Sequence, residues 1–159
     1  MSPSCLGALM PESIPIEQLL SHAKPMLLLD SLLHSGQDYI VCGLQVRADG
    51  LFNTNDRVPA LMGIEYMAQT IAAFAGLKAI ERGGEPKMGF LLGTRKFTSN
   101  VAEFPCKILL SVKAHRAVQG SDGMAAFECT VEGESVRQTA TLTVYEPSNP
   151  EQFLIGANE

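Results

Sequence analysis

Glu65 is the residue of this sequence with the most evident chemical potential, because it stands inside a long apolar stretch. Between Leu61 and Leu77 it is the only charged residue, and Gln69 and Thr70 are the only strongly polar ones. A carboxylate in apolar surroundings is costly, so it is usually paired, protonated or functional. A helix would place the amide of Gln69, four residues later, beside this carboxyl group. The residues leave two interpretations open: a general acid, or a carboxylate that only caps a subunit boundary or a water pocket.

The stretch that carries Glu65 predicts a long helix over residues 58–83. Pro59 suits a first helical turn, and the pair Gly83-Gly84 supplies a stop. A helix that is apolar nearly all round is either a membrane span or the buried centre of a fold. The run is short for a bilayer and carries a carboxylate and an amide on one face, which argues against a span. We expect a core helix covered by protein on most sides.

The rest of the chain predicts strands around this helix. We expect a loose lead-in over residues 1–13, a short helix over 14–21 and a surface tail over 146–159. Short apolar runs predict strands at residues 26–33 and 88–97, and alternation of apolar and polar residues predicts strands at 39–48, 107–118, 124–132 and 134–145. Two of these strands precede the central helix and four follow it. The pattern predicts an α+β fold, a curled antiparallel sheet wrapped around one long central helix. An exposed edge of such a sheet favours dimerisation strand to strand.

Composition limits the class of protein. A chain of 159 residues with 46% hydrophobic and 18% charged residues suits one globular domain spanning 1–159. A net charge of −5 argues against nucleic acid as a partner. The four cysteines are scattered without metal or disulfide spacing, and three lie in strand-like apolar contexts. The N-terminal residues have neither the basic segment nor the long apolar core of an export signal, so we expect a cytoplasmic protein.

Two motifs resemble those of a known enzyme family. Residues 19–30 (LLSHAKPMLLLD) resemble an "LPHRxPxLLxD" segment, and residues 59–69 (PALMGIEYMAQ) resemble a "PG…(E/D)AMxQ" helix start. The two quoted motifs are those of the hot-dog-fold β-hydroxyacyl-acyl-carrier-protein dehydratases of fatty-acid synthesis. Residues 62–69 (MGIEYMAQ) and 89–95 (GFLLGTR) are most similar to a divergent branch encoded with aryl-polyene-type lipid pathways. The resemblance to this family extends from about residue 14 to residue 145.

The resemblance implies roles for the residues at the helix start. Glu65 would be the catalytic acid that protonates the leaving β-hydroxyl, and Gln69 would orient it. A backbone N–H at the start of the helix would polarise the thioester carbonyl, which involves Ala60, where the family has glycine, and Gly63. No cofactor is implied. The implied partner is an acyl carrier protein that carries a phosphopantetheine-linked acyl chain, in a dimer of two such subunits or of this chain with a related one.

The chain departs from the family at the base. The family has a histidine in the loop before the helix, supplied to the acid of the opposite subunit, and Leu51 stands at that position here. Only His22, His34 and His115 occur in the chain, without metal-site spacing. We take His22 as the provisional base that removes the α-proton; its alternative role is a helix C-cap that hydrogen-bonds the last carbonyls.

Two further features carry alternatives of their own. Gly89 can thin the sheet wall where an acyl chain passes, or it can simply permit close helix packing. A set of basic residues can dock an acidic carrier protein or form an ordinary solvated face: Lys78, Arg82, Lys87, Arg95 and Lys96.

The resemblance and its departure together define three functional hypotheses. The first is dehydration of carrier-bound 3-hydroxyacyl thioesters to trans-2-enoyl thioesters in fatty-acid or polyene-type lipid synthesis, with Glu65 as acid. The second is a non-catalytic or half-catalytic subunit of a heteromeric dehydratase, because the loop histidine is missing. The third is an acyl thioesterase on the same fold, in which Glu65 activates water.

Overall fold

A computed structural model describes residues 14–22, 24–87 and 89–148. The lead-in over 1–13 lies outside the described residues, as does the tail from 149 onward. In the described part a 3₁₀ helix spans Ile16–Gln18 and one long helix, α1, spans Met62–Glu81. The strands are β1 (Ser31–Ser35), β2 (Tyr39–Gln45), β3 (Arg57–Pro59), β4 (Phe90–Ser99), β5 (Glu103–Pro105), β6 (Leu109–Gln119), β7 (Met124–Gly133) and β8 (Val136–Tyr145).

Six of these strands form one antiparallel sheet in the order β1-β2-β6-β7-β8-β4. The hairpins β1-β2, β6-β7 and β7-β8 pair neighbours in the chain, whereas β2-β6 and β8-β4 are long-range pairings. Strands β3 and β5 form a separate two-stranded ribbon. This arrangement confirms the prediction of a single large antiparallel sheet packed around one helix.

Helix α1 is the centre of the core. Its side chains at Met67, Gln69 and Ala73 have no solvent exposure, and Phe74 meets Phe127 of β7 in an edge-to-face contact with centroids 5.7 Å apart. Gly76 allows the backbone after the 3₁₀ helix to touch the helix, because a Cβ there would overlap the carbonyl oxygen of Leu19. No helix in the described residues is long and apolar enough to cross a bilayer.

The structure corrects three of the predicted boundaries. The helix begins at Met62, not at Val58, because Val58 and Pro59 pair with β5. The short helix predicted over 14–21 is only a 3₁₀ turn, from Ile16 to Gln18. The strand predicted over 26–33 begins at Ser31, because the backbone groups of Met26 and Leu28 are hydrogen-bonded to the Gln69 side chain of α1.

Strand β4 forms one edge of the sheet. It pairs with β8 on one side and has no strand partner on the other among the described residues. Leu91 and Leu92 on this strand are 42% and 52% exposed. An edge strand that carries exposed leucines is a ready site for another strand to join.

Candidate active site

Glu65 lies in the first turn of α1, and Gln69 is its hydrogen-bond partner. Gln69 Nε2 donates to Glu65 Oε1 at 3.0 Å, the contact that the four-residue spacing predicts. The Glu65 side chain is nevertheless 34% exposed. The apolar surroundings expected from the sequence are therefore open on one side, so the carboxyl group can meet a substrate.

Gln69 joins the helix to the segment before β1. Its amide group is fully buried, and Nε2 also donates to the carbonyl oxygen of Met26 at 2.7 Å. Its Oε1 accepts from the backbone N–H of Leu28 at 2.9 Å. Both N–H groups and the oxygen of the amide are thus hydrogen-bonded. These bonds fix the orientation of the amide, with its Nε2 toward Glu65.

His22 also reaches Glu65. His22 Nε2 is 3.9 Å from Glu65 Oε1, too long for a hydrogen bond but within ion-pair range, and the imidazole side chain is 32% exposed. Its Nδ1 is buried and has no hydrogen-bond partner among the described residues. The alternative of a helix C-cap is wrong, because the 3₁₀ helix ends at Gln18 and Leu19 is its cap.

The amides of Ala60 and Gly63 are occupied within the chain. Ala60 donates its N–H to the carbonyl of Ala102 at 3.0 Å, and Gly63 donates to the carbonyl of Ala60 at 3.0 Å. Both residues are buried. As folded, they build the turn into the helix and are not open donors for a substrate. Leu61 and Met62, at the same turn, have backbone N–H groups without an acceptor among the described residues.

The sequence analysis missed Gln138, a fully buried residue of β8. Its Nε2 donates to the carbonyl of Ala60 at 2.8 Å and to Ser99 Oγ at 3.0 Å. The signal was available, because Gln138 falls in phase with Val136 and Ala140 on the inward face of the strand. A glutamine in an apolar phase indicates a specific buried partner.

The loop before β3 does not supply a histidine. Leu51, which stands where the resembled family has histidine, is 61% exposed. A cavity of about 190 Å³ lies between this loop, the Lys24–Pro25 segment and the helix, and Tyr66 forms part of its wall. Burial raises the pKa of Tyr66 to about 12, with Cys106 adding to the rise and Arg47 opposing it. The phenol therefore stays protonated and cannot act as the base near neutral pH.

Gly89 is not brought to the group around Glu65. It precedes β4 at the end where Phe90 pairs with Tyr145, whereas the other end of β4, at Ser99, lies beside the helix start. Nine residues of strand separate the two ends by roughly 30 Å. Gly89 thus lies outside the candidate active site of its own chain.

The basic residues do not form one surface. Lys78, Arg82 and Lys87 line a cavity of about 520 Å³ at the C-terminal half of α1, together with Arg116. Lys78 and Arg116 are already paired with Glu81 and Asp38. The other two residues of the predicted set, Arg95 and Lys96, belong to β4. Among the described residues, no three His, Cys, Asp or Glu side chains stand close enough together to hold a metal ion.

Comparisons with known proteins show the family and the fold of the chain. A family model described as ApeP-like, ApeP dehydratase, matches residues 14–155. Among curated proteins no sequence match was found. The dehydratase heterocomplex ApeI:P from Xenorhabdus doucetiae is similar in structure, with a TM-score of 0.83 and 27% identity over 92% of this chain and 99% of that chain.

More distant structures share the fold alone. The TT0310 protein of Thermus thermophilus has a TM-score of 0.53 at 17% identity, over 72% of this chain and 89% of that chain. A hypothetical thioesterase with coenzyme A from Streptococcus pneumoniae has a TM-score of 0.51 at 15% identity, over 74% of this chain and 87% of that one. The hot-dog architecture predicted from the sequence is confirmed.

Proposed function

This chain belongs to the ApeP-like dehydratase family, and from that premise we propose that it acts in the removal of water from carrier-bound 3-hydroxyacyl thioesters, which leaves trans-2-enoyl thioesters in fatty-acid or polyene-type lipid synthesis. One observation carries the proposal. A partly exposed carboxyl group at the start of the central helix is oriented by a buried amide and has an imidazole 3.9 Å away. An acid and a base side by side are what a β-elimination needs.

In the proposed reaction Glu65 and His22 act on adjacent carbons of the substrate. His22 Nε2 takes the proton from the α-carbon, and the electrons of that C–H bond form the α,β double bond. The β-carbon–oxygen bond breaks as Glu65, in its acid form, protonates the hydroxyl, which leaves as water. His22 Nε2 and Glu65 Oε1 are 3.9 Å apart, too far for direct transfer, so a water molecule returns the proton from His22 to Glu65 and restores both groups.

The negative charge that develops on the thioester oxygen needs donors. The structure commits the amides of Ala60 and Gly63 to other partners, so we assign this role to the backbone N–H groups of Leu61 and Met62. They lie at the N-terminus of a 20-residue helix, where the helix dipole also favours negative charge. This assignment replaces the one that the family resemblance implied.

A heteromeric assembly is the second candidate, and four observations favour it. The loop position of Leu51 carries no histidine, and His22 Nδ1 has no hydrogen-bond partner among the described residues. The open edge of β4 can accept a strand of another subunit. The similar structure from Xenorhabdus doucetiae, ApeI:P, is a dehydratase heterocomplex. In this version a related hot-dog subunit joins β4 and supplies a further base, while this chain contributes Glu65.

The remaining features of the proposal concern the cell and the carrier. The substrate reaches the site on the phosphopantetheine arm of an acyl carrier protein. We place the reaction in the cytoplasm, and the free thiols of Cys42, Cys106 and Cys129 suit a reducing compartment. For the anionic carrier, cationic side chains are available just after α1, at Arg82 and Lys87, and on β4.

Mass spectrometry of 3-hydroxyacyl carrier protein tests the proposal. The purified chain, with and without a histidine-bearing hot-dog partner, should convert the acyl group to a form that has lost one water and remains a thioester. Glu65→Gln should lower the rate at least about a hundredfold, and His22→Ala should do the same if the chain supplies its own base. Glu81→Gln, an exposed carboxylate on the same helix, is the matched control.

The outcomes separate the candidates. Activity of the chain alone that is lost in both variants supports the complete enzyme. Activity only with the partner, lost in Glu65→Gln but not in His22→Ala, supports the shared site. Release of a free acid and a free thiol would replace dehydration by thioester hydrolysis.

A further inference from the structure

Gln138 lies directly beneath the turn that carries Glu65, and the proposed reaction gives it no role so far. It lies on β8, opposite Ser99 of β4, and its side chain is fully buried. Nε2 donates one proton to the carbonyl of Ala60 and the other to Ser99 Oγ, at 2.8 Å and 3.0 Å. Since a carbonyl oxygen can only accept, the contact with Ala60 fixes which end of the amide is which.

The oxygen of this amide is the unusual part. Gln138 Oε1 is buried and has no hydrogen-bond partner among the described residues. It faces the Cα of Gly63 so closely that a Cβ at position 63 would overlap it. A buried acceptor without a partner is unfavourable, and its retention in a folded protein needs an explanation. The explanation that the geometry offers is contact with the helix start itself.

We infer that Gln138 is a positioning residue for the dehydration, which sets the place of Glu65 by holding the carbonyl of Ala60 on one side and by packing against Gly63 on the other. The inference rests on the proposed function. Gln138 touches no reacting group, so its effect passes through the helix start. Glu65 lies two residues after Gly63, so any tilt of this turn displaces the carboxyl group.

A second set of contacts extends the arrangement to the edge of the sheet. Ser99, at the end of β4, donates its hydroxyl to the carbonyl of Val101 at 2.7 Å. The next residue, Ala102, accepts the N–H of Ala60 at 3.0 Å. The turn before the helix is therefore held by Gln138 and by the segment after β4 together. The edge strand and the acid thus share one hydrogen-bonded support.

Kinetics of Gln138→Leu tests the inference in the active preparation, either the chain alone or its complex. We expect kcat to fall about ten- to a hundredfold with little change in KM, because substrate contacts stay and only the reacting geometry moves. Leu142→Ala is the control: this buried residue of β8 lies four positions farther along the strand, and its loss creates a cavity away from the helix start. The control should lower stability and leave kcat within about twofold.

Gly63→Ala supplies a sharper test, because its effect depends on whether the Gln138 side chain is present next to position 63. In the native background the added methyl group must push the Gln138 amide off Ala60 and Ser99, so kcat should drop at least about tenfold. In a Gln138→Ala background the space is open, and the same change should alter kcat less than about twofold. Effects that simply multiply would overturn the inference, because independent sites behave in that way.

Hydrogen exchange of the backbone gives a reading that does not need activity. Gln138→Leu should speed exchange at least about tenfold at the hydrogen-bonded amides of Ala60, Gly63 and Ile64, with no change in the C-terminal half of α1. If that variant does not fold, Ser99→Ala removes one of the two acceptors and should give a smaller change in the same direction. Unchanged exchange at the helix start would overturn the inference. Inactivity of the unaltered preparation, with the exchange pattern as expected, would contradict only the proposed function.

Discussion

At the scale of single residues, the acid is oriented by a neutral group. Gln69 faces Glu65 with an amide N–H, and no Lys or Arg forms an ion pair with Glu65 among the described residues. An amide can donate to a carboxyl group without forcing it to remain ionised, whereas an arginine in the same place would hold it in the charged form. A carboxyl group that must deliver a proton is better served by the amide.

Replacing Gln69 by leucine should damage both stability and activity. The change removes three hydrogen bonds and leaves the carbonyl of Met26 and the N–H of Leu28 without their partner. The free energy of unfolding should fall by about 2–4 kcal/mol in urea titrations, and kcat should fall with it. Gln119→Leu, a change at an exposed amide of β6, should shift the unfolding midpoint very little. Equal effects of the two changes would contradict the assigned role of Gln69.

Residue spacing predicted part of this site and could not predict the rest. The Glu65–Gln69 contact is local, four residues apart on one helix, so periodicity alone predicts it. The approach of His22 and the support from Gln138 are tertiary contacts across 43 and 78 positions (65 − 22 and 138 − 60). No local pattern encodes such distances, and only the inward phase of Gln138 hinted at a buried partner.

At the scale of elements, the crossing of α1 and the 3₁₀ helix depends on one glycine. At Gly76 a Cβ would overlap the backbone carbonyl of Leu19, and a backbone carbonyl cannot rotate aside as a side chain can. The segment after this contact carries His22 toward Glu65. The same close approach that closes the core therefore also delivers the imidazole.

Gly76→Ala should push the 3₁₀ helix away from α1. We expect a loss of at least about 2 kcal/mol in the free energy of unfolding, because overpacking against the backbone cannot be relieved locally. Gly93→Ala in β4 is the matched control, since a Cβ there meets nothing within 4 Å. Thermal and urea unfolding of the two variants side by side check the expectation. A stable Gly76→Ala protein would mean that the 3₁₀ segment moves away without cost.

The elements that the sequence failed to predict are those whose signals are short or ambiguous. Strands β3 and β5 have three residues each, too few for alternation to register. Pro59 fits both a first helical turn and a strand edge, and pairing with β5 decides between them. The four strands of the large sheet that alternate clearly, β2, β6, β7 and β8, were predicted within a few residues, as was β4 from its apolar run. Their order in the sheet, with β4 beside β8, is a long-range property.

At the scale of the whole molecule, the edge of β4, which has no second strand partner among the described residues, is the surface through which we propose that subunits assemble. Leu92→Lys places a charge on the exposed side of this edge, and charges on edge strands oppose pairing. We expect the affinity between subunits to fall at least about tenfold, because a buried lysine without a partner is unfavourable. Leu109→Lys, at a leucine that is 70% exposed on β6, should leave assembly unchanged. Light scattering coupled to size exclusion measures both.

Alkaline pH should unfold the protein through its buried acidic groups. Burial raises the pKa of Cys42 and of Cys129 from the ordinary 9.0 to about 12. Above pH 9 the unfolded chain loses these thiol protons while the folded chain keeps them, so the unfolded state is favoured as pH rises toward 12. The melting temperature should therefore fall across that range, and Cys129→Ala should show a smaller fall. Parallel curves for the two proteins would contradict this assignment of the alkaline sensitivity.

The edge strand also has a consequence for gene dosage. If the proposed hot-dog partner covers β4, a chain made in excess of that partner keeps this edge and its exposed leucines in contact with solvent, and such edges promote aggregation. Chaperones and proteases would then limit the surplus, so the amount of this protein would follow the supply of the proposed partner. Overexpression of this chain alone should therefore leave more insoluble protein than co-expression with the proposed partner.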